Sequence, residues 1–225
     1  MTQLRFAILL AIVGAMIAAG ADPHRPACNT PACRKIKAFV KTQYCGILPI
    51  GIGPDVGCDV RRQISNSDVS EVASYSCERI GHCDQTGRAP TSVREALMTE
   101  MRLLGLPPAG ERRVQFAVLK SKSKRWLLAE AFYMRSTEKA ITECQVIAMF
   151  DPDGHAIVLR ISKLQKTDIE KPMIVQWHPL DLRDVDGDGQ LDAVLQGSLD
   201  EDNWFEVHGL AAGVPRLIFS GLGVK

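Results

Sequence analysis

Between residues 113 and 219 the chain is written in short apolar runs, most of them alternating, that stop at Gly, Asp or Pro. An extended strand sends successive side chains to opposite faces, so a period of two commits such a stretch to sheet. Val114, Phe116 and Val118 begin the series, and runs at 126–133, 143–150, 156–161, 174–177, 193–196, 204–208 and 216–219 continue it. Asp151-Pro152-Asp153-Gly154, between the third and fourth, has turn composition, since Pro fixes one turn dihedral and Gly accepts a positive one. The spacing predicts an antiparallel β-meander of about eight strands.

Ahead of the meander, Val93, Leu97, Met101 and Leu104 recur at helical spacing, and Gly105 with Pro107-Pro108 ends the run. Ser92-Val93-Arg94-Glu95 has the form of a capping box. A helix over 92–104 packed on one face of the sheet makes the fold class α+β. Earlier still, Cys33, Ile36, Val40 and Tyr44 share one helical face, with Asn29 or Thr30 as cap, Pro31 in the first turn and Gly46 at the end. The opposite face carries Arg34, Lys35, Lys37 and Lys41, which reads first as solvated surface. Residues 46–57 are rich in Gly and Pro and should be loop, while 64–75 are polar and weakly patterned.

Residues 1–21 have the layout of a secretory signal peptide: Arg5, an apolar run over 6–18, then Ala19-Gly20-Ala21. The run is shorter than the roughly 20 residues that span a bilayer. Arg5 is the only charged residue before Asp22, so the chain beyond residue 21 carries 26 basic against 26 acidic side chains. That balance leaves no electrostatic footprint for nucleic acid or an anionic membrane. All seven cysteines fall in the exported part, where disulfides are favoured. Cys28, Cys33, Cys45, Cys58, Cys77 and Cys83 cluster, in a pairing that sequence leaves open. Cys144 stands beside the apolar run 146–150 and reads as a packing thiol, the alternative being a staple between the two halves. The expected organisation is a signal peptide at 1–21, a disulfide-held Cys-rich segment at 22–90 with one helix, and a sheet domain at 91–225.

One stretch within the sheet domain dictates a chemistry. Asp184-Val185-Asp186-Gly187-Asp188-Gly189-Gln190-Leu191-Asp192 crowds four carboxylates that repel one another unless a cation lies between them. Calcium takes six to eight oxygens at about 2.3–2.6 Å. Asp184, Asp186 and Asp188 alternate as such a shell requires, and Gly189 permits a sharp reversal. The carbonyl of Gln190 can then face the ion, with Asp192 closing the shell directly or through water.

The stretch resembles the Asp-x-Asp-x-Asp-Gly-x-x-Asp calcium loop of EF-hands, dockerins and FG-GAP/VCBS-type repeats. The resemblance implies a structural calcium held by Asp184, Asp186, Asp188, Gln190 (by its carbonyl) and Asp192. Leu195 stands where an EF-hand has a bidentate Glu, and a strand follows the loop, as in the FG-GAP/VCBS setting. There is one copy, no upstream Phe-Gly signature, and too little chain for a propeller. The mature chain also resembles a group of secreted bacterial proteins that pair a Cys-containing N-terminal segment with a β domain bearing such a loop. Ala32-Cys33-Arg34, Tyr44-Cys45-Gly46, residues 128–131, residues 144–147 and Ser220-Gly221-Leu222-Gly223 carry that likeness, and no activity comes with it.

No catalytic motif accompanies the loop. None of the five histidines has zinc-protease spacing, and there is no nucleophile elbow or phosphate-cradling glycine loop. Glu130 and Glu143 come into question as an acid pair on neighbouring strands, although any half-exposed sheet has such carboxylates. Trp126, Trp177 and Trp204 suit a core as well as a binding face. The expectation is a secreted or periplasmic, monomeric, calcium-stabilised binding or envelope-associated module for a protein or glycan ligand. It involves no nucleic acid, and no membrane after signal cleavage. The alternative is a secreted hydrolase with a loop-built site.

Overall fold

The computed structural model describes residues 30–44, 68–79, 82–106, 114–136, 141–166, 175–199, 202–211 and 213–224. The leader at 1–21, the loop at 46–57 and Cys28, Cys45 and Cys58 lie outside them.

Two helices and ten strands are described. Helix α1 (Pro31–Tyr44) is followed by β1 (Val69–Arg79), β2 (His82–Gly87) and helix α2 (Thr91–Leu103). Then come β3 (Gln115–Ser121), β4 (Leu127–Ser136), β5 (Ile141–Phe150) and β6 (Ala156–Lys166). The last four are β7 (Gln176–Arg183), β8 (Asp192–Leu199), β9 (Asp202–Ala211) and β10 (Val214–Val224). Seven of the eight apolar runs from Val114 onward fall in strands to within a residue. Of the run at 174–177 only Gln176 and Trp177 do, and β7 continues to Arg183 through residues with no simple alternation. The class α+β holds. The single meander does not. The strands form two antiparallel sheets, one of six in the order β2-β1-β3-β4-β5-β6 and one of four in the order β10-β9-β8-β7.

Side-chain parity sorts the core into layers. On one face of the larger sheet Ala131, Tyr133, Val146 and Ala148 pack against Val93, Leu97 and Met101 of α2. On its other face Leu128, Ile147 and Met149 meet Leu182, Ala193 and Leu195 of the smaller sheet. The outer face of that sheet, through Val194, Phe205, Val207 and Phe219, is covered by Ile36, Val40 and Tyr44 of α1. The order is helix, sheet, sheet, helix. Strand β5 is therefore covered on both sides, which explains why residues 143–150 are buried without alternation.

Strand β1 pairs with β2 on one side and β3 on the other. The boundary drawn at residue 90 thus falls between strands of one sheet, since β1 and β2 precede it and β3 follows. Its signal was faint because Ser70, Glu71, Ser74 and Thr86 are polar, and β2 is an edge. Gln85 extends the ladder with its side chain: its Nε2 donates to the Phe116 carbonyl at 2.8 Å and its Oε1 accepts the Phe116 amide at 2.9 Å.

The helix ends are built as follows. Thr30 Oγ1 accepts the Cys33 amide at 3.1 Å and caps α1. The capping box at 92–95 is not formed. Helix α2 begins after Pro90 with no side-chain cap, because Pro90 already has an extended backbone and its carbonyl accepts the Arg94 amide. At the other end Gly105, at φ 81°, donates to Arg102 O while Leu106 donates to Met101 O. That is a Schellman closure, with Leu106 and Met101 both buried.

Candidate functional site

Strands β7 and β8 are joined by the acidic stretch, closed by the Arg183–Asp192 register pair. Its carboxylates fold it. Asp184 Oδ1 accepts the Gly187 amide at 2.6 Å and its Oδ2 the Gly189 amide at 2.9 Å. Asp186 Oδ1 accepts the Asp188 amide at 3.1 Å, and Asp188 Oδ1 the Gln190 amide at 2.7 Å. Gly187 and Gly189 hold φ of 86° and 87°, which a side chain would oppose. Val185 is buried against α1 and Leu191 between the sheets, so the loop is anchored at both ends.

This curl brings Asp184, Asp186 and Asp188 together, each offering an oxygen within 4.8 Å of the others. Asp192 is not in that group. It is 1% exposed and its Oδ2 accepts the Val185 amide at 2.8 Å. Burial pushes its carboxyl up to about 7, the Val185 amide opposes that, and the Asp186 and Asp188 charges add to it. Gln190 is exposed beside the trio. The donors are all oxygens, which is the chemistry a hard divalent cation prefers.

Two ammonium groups reach the same loop. Lys35 Nζ donates to Asp186 O at 2.7 Å and Lys124 Nζ to Gly189 O at 2.8 Å. A methyl group on Gly187 would stand 2.5 Å from Lys35 Nζ, so that glycine also makes room for the contact. Arg34, Lys35, Lys37 and Lys41 are all exposed, as a solvated face should be, and Lys35 in addition reaches the loop. Farther along α1, Phe39 lies under the Arg183 guanidinium, and Tyr44 donates to Asp181 Oδ2 at 2.7 Å. Arg183 Nε stands 2.6 Å from that same oxygen. Asp181 is fully buried, and the only signal for it in the sequence is its place between Leu180 and Leu182.

A second acidic group occupies the β5–β6 turn. Asp151, Asp153 and His155 also offer ligand atoms within 4.8 Å of one another. Asp151 Oδ1 accepts the Asp153 and His155 amides, and Asp151 Oδ2 lies 2.9 Å from His155 Nδ1. These bonds hold the Asp151 carboxyl below its usual range and raise His155.

A further set of titratable groups lies between the sheets. Tyr75 donates to Glu130 Oε1 at 2.5 Å, and Gln145 Nε2 donates to the same oxygen. Gln145 also grips the facing sheet, giving Nε2 to Trp177 O at 2.6 Å and taking the Trp177 amide on Oε1 at 3.0 Å. Burial raises Glu130 to about 7, the two hydrogen bonds pull against it, and the Glu143 charge adds to it. Glu143 is 3% exposed, burial raises it likewise to about 7, and its Oε1 has no hydrogen-bond partner. The two acids do not face each other. Glu130 stands opposite Ile147 and Glu143 opposite Met134, an offset of four residues or roughly 13 Å along the strand. On the same inter-sheet face, Glu206 Oε2 accepts from the Arg160 guanidinium and lies 2.8 Å from His208 Nε2. Arg160 in turn lies over the Trp177 ring, 4.9 Å from its centre. The alternation of Trp204, Glu206 and His208 could have disclosed this inward polar set.

Trp177 and Trp204 meet edge to face at 5.4 Å, directly over Gly197, so they are core. Cys144 is a free, buried thiol that burial pushes up to about 11, an inert state. Cys33 is disulfide-bonded. No described helix is long and apolar enough to cross a membrane. No protein-family model, curated protein or solved structure matches this chain.

Proposed function

We propose that the β7–β8 loop holds a structural calcium ion and that the chain is an exported, non-catalytic binding or envelope-associated module braced by it. The observation that carries this reading is the convergence of Asp184, Asp186 and Asp188. Their carboxylates would hold the ion together with the Gln190 carbonyl, and Asp192 would close the shell directly or through water. Calcium supplies the positive charge that lets these groups stay close. The protein's own part is to fix their directions through the loop amides and to carry the brace outward through Lys35 to α1. Lacking a bidentate Glu, the site belongs with weak extracellular sites of about 10⁻⁴–10⁻³ M. The leader, the disulfide frame of the first six cysteines, the monomeric state and a protein or glycan partner belong to the same proposal.

The test is thermal unfolding of the mature chain with calcium or with EGTA. For a dissociation constant near 10⁻³ M, 10 mM calcium adds about 1.4 kcal/mol. A protein of this size then melts roughly 3–6 °C higher. Terbium luminescence that calcium displaces, lost in Asp186→Asn, gives a second readout. Identical melts in calcium and EGTA, with no terbium signal, would remove the site.

A further inference from the structure

Glu143 is the anomaly of the inter-sheet layer. A buried carboxyl ordinarily holds hydrogen bonds or a basic partner, because leaving it bare costs the desolvation of the group. Glu130 has such bonds and Glu206 has Arg160, but Glu143 Oε1 has none. Ser162 Oγ, also buried, is likewise without a partner. The register places the two together: Ser162 stands opposite Gln145 and Leu164 opposite Glu143. Ser162 is thus the diagonal neighbour of Glu143 on the face that carries Ile147 and Met149 toward the smaller sheet.

The surroundings specify a charge. Among the described residues, neither Glu130 nor Glu143 has a basic partner. Lys163 points to the opposite face, where its Nζ donates to Leu104 O. Arg160 is committed to Glu206 and Trp177, and His208 also bonds Glu206. Tyr75 stacks on Phe132 at 5.5 Å beside Glu130 and adds an aromatic wall. Strand β6 is the edge strand of its sheet, and Arg160, Ser162 and Leu164 on it are half-buried.

We propose that the inter-sheet face at Glu143 and Ser162 is a binding site for a small organic cation bearing a primary ammonium. The carboxylate takes the charge, Ser162 Oγ accepts a second N–H, and the aliphatic part lies against the apolar layer. This gives the binding reading a ligand class and shares no residue with the acidic loop.

The experiment is titration of the full mature chain with n-propylammonium, followed by the carboxyl carbon resonance of Glu143, with n-propanol as neutral isostere. Expected results are saturable binding that strengthens as pH rises from 6 to 8, because only the carboxylate form pairs. The Glu143 carboxyl titrates at lower pH in the complex, and n-propanol gives no such response. Glu143→Gln weakens binding by about tenfold or more and Ser162→Ala by about threefold, as loss of a charged and a neutral hydrogen bond implies. The calcium-dependent melt of Glu143→Gln is unchanged, so failure here and failure of the loop reading are separable. No saturation, equal affinity in Glu143→Gln and Ser162→Ala, or an equal response to n-propanol from a merely hydrated acid would overturn the site.

Discussion

Replacing Gln145 by Leu tests how the two sheets are held in register. Leu preserves most of the volume but removes both polar atoms of a side chain that is 1% exposed. Three bonds go: one to Glu130 and two to the Trp177 backbone. The loss exceeds three ordinary hydrogen bonds, because the Trp177 amide and carbonyl lose this cross-sheet partner in a buried layer. A stranded buried group costs about 1–3 kcal/mol, and Leu recovers part of this through apolar burial. The net is a destabilisation of about 3–5 kcal/mol. Urea unfolding followed by tryptophan fluorescence should show the midpoint falling by roughly 1–2 M with an unchanged slope. A cycle with Glu130→Leu should give a coupling above about 1 kcal/mol, since the two side chains share a bond. A single-mutant loss below 1 kcal/mol with no coupling would refute the claim that this glutamine acts as a strand-like clamp.

Other consequences are open to measurement. Glu130 and Glu143 titrate near 7 folded against an ordinary value of 4.5, so the fold retains protons that the unfolded chain has released. Their contribution is whole below pH 4.5 and is lost as pH rises toward 7, by on the order of 3 kcal/mol each. Unfolding in urea at a series of pH values should show about half of that dependence lost in Glu143→Gln, with the Glu130 share remaining. Tyr44→Phe removes the bond to buried Asp181 and should cost about 1–2 kcal/mol, with faster amide exchange along α1. Gly197→Ala would set a methyl group 2.6 Å from Trp204 and 2.8 Å from Trp177. Overpacking of that kind should cost about 1–3 kcal/mol and change the near-ultraviolet circular dichroism of both indoles. Backbone register sets Cys77 opposite Cys83, and non-reducing peptide mapping should link them while leaving Cys144 free.

What could be read from sequence was local. Seven of the strands from Val114 onward, the helix ending at Gly105 and the turn at Asp151 each follow from neighbours a few residues apart. The trio at 184, 186 and 188 is of that kind too, because its alternation is written into consecutive positions. Strand β7, whose residues 178–183 mix His, Pro, Asp and Arg with Leu, was legible only at its start. The division into two sheets was not legible. Parity says that Ile147 and Val146 face opposite ways, but not that one meets a helix and the other a second sheet. The capping box failed because Pro90 had already set the helix entry. The contacts that fix the inter-sheet layer, Gln145 to Trp177 and Arg160 to Glu206, join residues far apart in sequence. Nothing in a short window signals them beyond polar residues at inward parity.

Helix α1 belongs to the earliest described part of the chain, yet everything it rests on comes last. Tyr44 meets Asp181 across 137 positions and Lys35 meets Asp186 across 151. Closing loops of that length is slow, and nothing local rewards it beforehand. The outer layer therefore cannot assemble while the ribosome is still making the middle of the chain. This molecule completes itself only after its final hairpins have emerged, and until then the apolar stripe of Ile36, Val40 and Tyr44 stays uncovered.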